Sequence, residues 1–309
     1  MIRSLIATTL IGLSLGASAL QDNSKVPVLA YHSRNAEEPC TDETADVLAM
    51  ARDIEIARSM GFTIVPLQDV VDWQLGRRAS ASLPDKVLAI TSDEGFDRDW
   101  ISDLPAVGDP HYPDYPCHGL PSVKRIAVVS KTPVTLFVIA SRAARNAISP
   151  DWFNDNWWAE AGTNPYLSIQ NHTTDHEHNA IQSITYDPAM MLWVPISGYG
   201  DSIWSGQNNP RRWNTYTQAD LAINAASGYI GGKTGKRPTM LAHPFGVSSD
   251  YVRDVYLPGY QSEHKLDAAF GIEPAYVTRQ SNRWMLPRFM FGLGFRTESE
   301  IKAILGGAQ

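Results

Sequence analysis

Short apolar runs alternate with segments of helical spacing along most of this chain, and that alternation limits the fold more than any other feature. KVPVLAYH (25–32) is a run rich in β-formers. TADVLAMARDIEIARSMG (44–61) has helical spacing and closes at Gly61, a residue suited to end a helix. FTIVPL and QDVVDWQLG repeat the strand–helix order, and DKVLAIT (85–91) is a third strand. SKTPVTLFVIA (130–140), NPYLSIQNH (164–172) and RPTMLAHPFG (237–246) carry the next strands, with a helix over 217–235 before the last. DYVRDVYLPGYQ, LDAAFGIE and TESEIKAILGG then give helix, strand and terminal helix. Such an order points to one α/β domain around a parallel sheet or barrel. Uninterrupted apolar strands such as VLAIT suit a sheet covered on both faces. No repeat and no Gly/Ser linker divides the chain.

Residues 99–124 and 187–216 break the pattern. The first is rich in Pro and Asp, the second in Trp, Gly and Asn. Loops of this length in a compact domain are usually functional or mobile. Trp193, Trp204 and Trp213 sit in the second, where stacking on a sugar ring and burial of the loop's own rings are about equally matched. Trp157 and Trp158 read as core.

The first nineteen residues form a separate unit. Arg3 precedes the apolar stretch LIATTLIGLSLG, which is too short to span a bilayer, and Ala17-Ser18-Ala19 offers a cleavage site. This is the pattern of a secretory signal peptide over 1–19, with the domain over 20–309 secreted or periplasmic. Export gives the cysteines their meaning. Cys40 and Cys117 are the only two, and one disulfide is the simplest assignment in an oxidising compartment; two free thiols are the alternative. Lys and Arg total 26 against 33 Asp and Glu, a net charge of −7, and no basic run is present to grip nucleic acid. No later segment has the length and apolarity of a transmembrane helix. The sequence is silent on oligomeric state.

Three elements at predicted strand ends carry chemistry. TSDEG (91–95) brings the adjacent acids Asp93 and Glu94. NHTTDH (171–176) brings His172 and His176, four apart. AHPFG (242–246) brings His243. Two neutral imidazoles and one carboxylate make a three-ligand metal site with an open position, where bound water has its pKa lowered toward ~7. A second, unligated carboxylate can take that proton. A pair of acids is what such a site needs.

With those residues in view, the chain resembles the polysaccharide deacetylases of carbohydrate esterase family four, the NodB-type domain. TSDEG stands where the family has TFDDG, and NHTTDH matches its HTxxH element. VLAYHS, GFTIVPL and DKVLAITSDEGFD resemble the subgroup that includes poly-N-acetylglucosamine deacetylases, as do AHPFG and MLPRFMF. The likeness runs from about Val26 to Phe295. It implies a distorted (β/α) barrel of about seven strands in a single domain. It implies a divalent metal, usually zinc, on His172, His176 and Glu94, with Asp93 as general base. It makes His32 a candidate acid for the leaving group, with His243 its rival. The implied substrate is an acetylated polysaccharide or oligosaccharide, N- or O-linked.

The chain departs from that pattern in places. Glu94 is one methylene longer than the family's Asp, and Ser92 replaces an aromatic. The third motif lacks the Arg that orients the base. Arg288, a candidate substrate-binding residue, is also the one that could compensate. No Leu-x-x-His element appears near the end. These departures motivate a second reading, a catalytically weakened carbohydrate-binding member of the fold, and a third, an amide or simple-ester hydrolase on the same scaffold.

Overall fold

A computed structural model describes residues 19–102, 117, 119–148, 153–176, 181–187, 192–197 and 213–308. Residues 1–18 of the expected signal peptide, Trp204 and most of 99–124 lie outside them. In chain order the strands are β1 (Val28–Tyr31), β2 (Thr63–Ile64), β3 (Val87–Glu94), β4 (Val134–Val138), β5 (Leu167–Asn171), β6 (Ile181–Asp187), β7 (Leu192–Ser197), β8 (Met240–Ala242), β9 (Ala268–Phe270) and β10 (Phe289–Met290). The helices that matter here are α1 (Asp46–Ser59), α2 (Leu67–Gln74), α3 (Val123–Ser130), α4 (Arg142–Ile148), α5 (Trp158–Ala161), α6 (Tyr216–Ala219), α7 (Ala225–Thr234), α8 (Leu257–Gly259), α9 (Gln261–His264) and α10 (Glu298–Gly307).

One curled parallel sheet runs β10-β1-β3-β4-β5-β8-β9, with β2 pairing beside the start of β3. The alternation of strand and helix thus does build the distorted (β/α) barrel. The strand-forming residues alternate between two apolar layers. Leu29, Ile90, Leu136 and Ile169 pack outward with Met50 and Ile54 of α1 and Ile301 of α10. Val28, Ala89, Phe137, Met240 and Phe270 fill the inside. Every residue of β3 is buried. That is why its sequence reads as an unbroken apolar run until the chemistry starts.

The last stretch of the sheet ties its two edges. Leu286 pairs with Phe270 of β9, and Phe289 and Met290 pair with Leu29 and Ala30 of β1. Residues 286–290 therefore bridge from one end of the sheet to the other, and Arg288 sits in the middle of the bridge.

Two elements differ from expectation, while the disulfide and the two adjacent core tryptophans follow it. Ser122 caps α3 by accepting the Arg125 N–H at 3.1 Å, inside a region read as loop. The Trp-rich region contributes β7, which pairs antiparallel with β6 and sets Trp193 opposite Tyr186 along the backbone. Cys40 and Cys117 are joined in a disulfide, with Cα atoms 5.7 Å apart. Trp157 and Trp158 are core residues. No helix among the described residues is long and apolar enough to cross a membrane.

Candidate active site

Parallel register decides which strand ends meet. Tyr31 pairs with Ser92, Glu94 with Val138, Val138 with Asn171, and Asn171 with Leu241. The residues just beyond, His32, His172 and His243, therefore emerge level with Asp93 and Glu94 at the carboxyl end of the sheet. Barrels of this kind place their sites at that end. The three elements singled out in the sequence, and the YH element of β1, share one mouth.

Asp93 lies on the inner face of β3 with Thr91 and Ala89. Its two oxygens accept from Arg288, Oδ1 from Nη1 and Oδ2 from Nη2, each at 2.7 Å. The guanidinium also donates to Thr91 Oγ1 at 3.0 Å and, through Nε, to the Gly271 carbonyl at 2.9 Å. It lies 5.4 Å from the Phe137 ring centroid. Burial alone would raise the Asp93 pKa, but the Arg288 charge and its bonds override it and hold the group at about 2. Arg288 is itself fully buried. Its position makes it the partner that orients Asp93, the compensating role that the sequence left open to it beside substrate binding.

The NHTTDH turn is built by its own polar groups. Asn171 Oδ1 accepts the Thr173 N–H at 2.6 Å, and Thr173 Oγ1 accepts the His176 N–H at 3.2 Å. Thr173 and His176 both take left-handed backbone, φ 70° and 56°. The His172 and His176 rings are thereby edge to face at 4.8 Å between centroids, and His176 meets Phe245 at 4.6 Å. His172 Nδ1 lies 2.9 Å from the Ala242 carbonyl. A carbonyl only accepts, so that nitrogen carries the proton and Nε2 keeps its lone pair. Burial lowers the His172 pKa to about 4, so the ring is neutral in ordinary buffers.

The other two imidazoles differ in access. His32 keeps 16 % of its side chain exposed. Its backbone N–H donates to Asp46 at the start of α1, at 2.6 Å. His243 is buried, and its Nε2 donates to the Trp284 carbonyl at 3.0 Å. Trp213 is buried among Ala219, Ile223 and Tyr256 rather than presented to a ligand. Of the two readings weighed for it, its burial matches packing in the core.

Glu94 ends β3 with φ 81°, followed by Gly95 at φ 79°. Gly95 is required there, since a Cβ would come within 2.7 Å of Val138. Glutamate gains nothing locally from left-handed backbone, unlike the shorter Asp and Asn. Its carboxylate meets Arg34, Nε to Oε2 at 2.6 Å. Two imidazoles on one tetrahedral ion put their ring centroids about 5 Å apart, so the His172–His176 pair has the right spacing. The third donor is not delivered. Glu94 is held on Arg34, and among the described residues no three His, Cys, Asp or Glu side chains group so as to hold a metal ion. As a three-ligand set, the expected residues do not fit, and no chemical step is derived through a metal.

Sequence reasoning missed three participants. Arg34 follows the YHS element with no motif to flag it. Asp46 was seen only as part of a helix. Asp99, fully buried, accepts from Ser92 Oγ at 3.0 Å, and burial pushes its pKa up to about 8. The Ser92 hydroxyl gives Asp99 a donor.

No protein-family model and no curated protein matches the chain. Solved structures do resemble it. IcaB from Ammonifex degensii matches with a TM-score of 0.59 at 16% identity, covering 93% of this chain and 98% of its own. A de-N-acetylase from Aggregatibacter actinomycetemcomitans gives 0.57 at 15%, covering 90% and 99%. The Streptococcus pyogenes deacetylase PplD, solved in complex with acetate, gives 0.58 at 12%, covering 93% and 99%. The chain thus has the fold of the solved polysaccharide deacetylases, the group its motifs resemble.

Proposed function

We propose that the protein is an exported hydrolase that removes acetyl groups from an N- or O-acetylated carbohydrate. The observation that carries this reading is the Arg288-clamped Asp93 carboxylate beside neutral His172 at the barrel mouth. Asp93 is ionised at neutral pH and fixed in plane. It accepts a hydrogen bond from water and takes its proton as the water oxygen attacks the acetyl carbonyl. Because Arg288 lowers its basicity, the clamp contributes direction rather than proton affinity. The carbon–nitrogen or carbon–oxygen bond then breaks, acetate leaves, and the departing group takes a proton. His32 is assigned that donation, since it is partly exposed, whereas the His243 Nε2 is committed to a backbone carbonyl.

The divalent cation that the resemblance implies finds two donors at suitable spacing, His172 and His176, and no third among the described residues, so no step is routed through it. Export rests on the signal-like segment and is supported by the Cys40–Cys117 disulfide. The competing reading, a carbohydrate-binding protein without turnover, is favoured by one observation, the Glu94 carboxylate held by Arg34. Acetate release from a panel of N-acetylglucosamine oligomers, O-acetylated xylo-oligosaccharides and simple acetyl esters separates the readings. Release from a carbohydrate, with His32→Ala far slower than His243→Ala, supports the proposal. Glycan binding without acetate release under any supplied cation would replace it with the competitor.

A further inference from the structure

The NHTTDH turn leans on a helix that leaves the α form at the point of contact. Between α6 and α7 the chain makes one π-turn over Asp220–Asn224, in which the Ala225 N–H donates to the Asp220 carbonyl five residues back. An α-helical carbonyl is ordinarily taken by the N–H four residues on. Here three consecutive carbonyls accept from outside the helix. The Thr174 N–H donates to Ala222 at 2.9 Å, and its hydroxyl donates to Leu221 at 2.6 Å. Asn171 Nδ2 donates to Ile223 at 2.8 Å. Such π-turns inside α-helices are rare and concentrate at functional sites.

The turn needs this support. Thr173 and His176 hold left-handed backbone, which a residue other than glycine keeps only where its surroundings over-determine it. Thr174 lies between them, 2 % exposed, and both of its donors go to the helix. On the other side the Ser141 N–H donates to the Thr174 carbonyl at 2.7 Å. Asn171 carries the same restraint to Thr173, whose N–H its Oδ1 accepts. The π-turn is itself pinned, since Asp220 Oδ1 accepts from Asn224 Nδ2 at 2.9 Å and from the Tyr256 hydroxyl at 3.1 Å. From these contacts we infer that Thr174 is a positioning residue, and that the carbonyls of the Asp220–Asn224 π-turn set the His172 and His176 rings through it. Only the effect on rate rests on the deacetylase reading; the effect on ring placement does not.

Thr174→Val keeps the shape of the side chain and removes its donor to Leu221, whereas Thr174→Ser keeps the hydroxyl. Imidazole resonances of protein carrying nitrogen-labelled histidine report where the rings sit. In Thr174→Val the His172 and His176 resonances should shift while those of His32 and His264 stay in place. In Thr174→Ser all four should keep their wild-type positions. A purely structural role for Thr174 would lower the melting temperature and leave the His172 and His176 resonances unmoved, and that result would overturn the inference. Deleting Leu221 takes the additional residue out of the π-turn and lets the helix continue as α. The same two resonances should then shift in the folded variant, and their staying in place would overturn the part assigned to the π-turn. Thr174→Val leaves the helix sequence intact, so it decides independently of how the deletion variant folds. On the deacetylase reading, Thr174→Val should lower kcat by about ten- to a hundredfold with KM within about twofold, because the ring beside Asp93 is displaced. Thr174→Ser should recover most of that loss. Shifted rings in a protein whose wild type releases no acetate would count against the deacetylase reading alone. Unmoved rings in an active enzyme would count against this inference alone.

Discussion

Arg288 and Asp93, 195 positions apart, meet through two parallel hydrogen bonds of 2.7 Å inside the barrel mouth. Neither residue reaches the other through local structure. Asp93 is placed by β3, and Arg288 by the short stretch that closes the sheet between β9 and β1. The clamp is therefore a product of barrel closure, and it links the stability of the fold to the direction of its candidate base.

Replacing Arg288 by Met should be costly. The change leaves a carboxylate buried without its counter-charge, and such losses run to roughly 3–5 kcal/mol. Arg288→Met/Asp93→Asn should cost less than the sum of its two parts, because the unpaired charge is gone. Denaturant unfolding of the two single variants and the double checks this. A single Arg288→Met loss below about 1 kcal/mol would show that the clamp contributes little to stability.

Asp99 should give stability an unusual pH dependence. Its folded pKa stands at about 8, against an ordinary carboxylate value of 3.8. Between those values the folded state holds a proton that the unfolded state has lost, so this group's contribution falls as pH rises and levels off above 8. The slope is about 1.4 kcal/mol per pH unit for one proton. Relative to wild type, Asp99→Asn should therefore grow more stable from pH 5 to pH 8. His172 acts oppositely: its pKa of about 4 makes its contribution fall as pH drops from 6.5 toward 4. Chemical denaturation of both proteins at several pH values isolates the Asp99 part; a difference that does not change with pH would contradict it.

Gly95→Ala should damage the site through its backbone. A methyl group there meets Val138 at 2.7 Å, and φ 79° disfavours any side chain. A loss of roughly 1–3 kcal/mol follows from overpacking alone. Since Gly95 directly follows the acid pair, acetate release should fall along with the melting temperature. A variant with unchanged melting would show that β4 yields at this point.

Much of this architecture was legible in the residues. VLAIT and TLFVI read as buried strands because both faces of a parallel sheet are covered, and the acid pair and HxxxH were found by their places at strand ends. The two cysteines could be paired by counting. What stayed hidden depends on contacts across the barrel. Nothing near Arg288 signals Asp93, and nothing near Arg34 signals Glu94. Trp213 sits in a Gly/Asn-rich stretch where burial and sugar stacking were evenly matched, because the residues it packs with, Ala219 of α6 and Tyr256, lie outside that stretch. The short helix α3 escaped notice because its neighbours are Pro-rich, although Ser122 supplies an ordinary cap.

The most direct test is acetate release by wild type and Asp93→Asn on the same acetylated oligosaccharide, with folding of both checked by circular dichroism. The Asn side chain keeps the shape and removes the proton acceptor. A general base contributes roughly 10²–10⁴ in rate, so the variant should slow by about that factor while retaining glycan affinity. A folded Asp93→Asn protein that releases acetate at the wild-type rate would remove Asp93 from the chemistry proposed here.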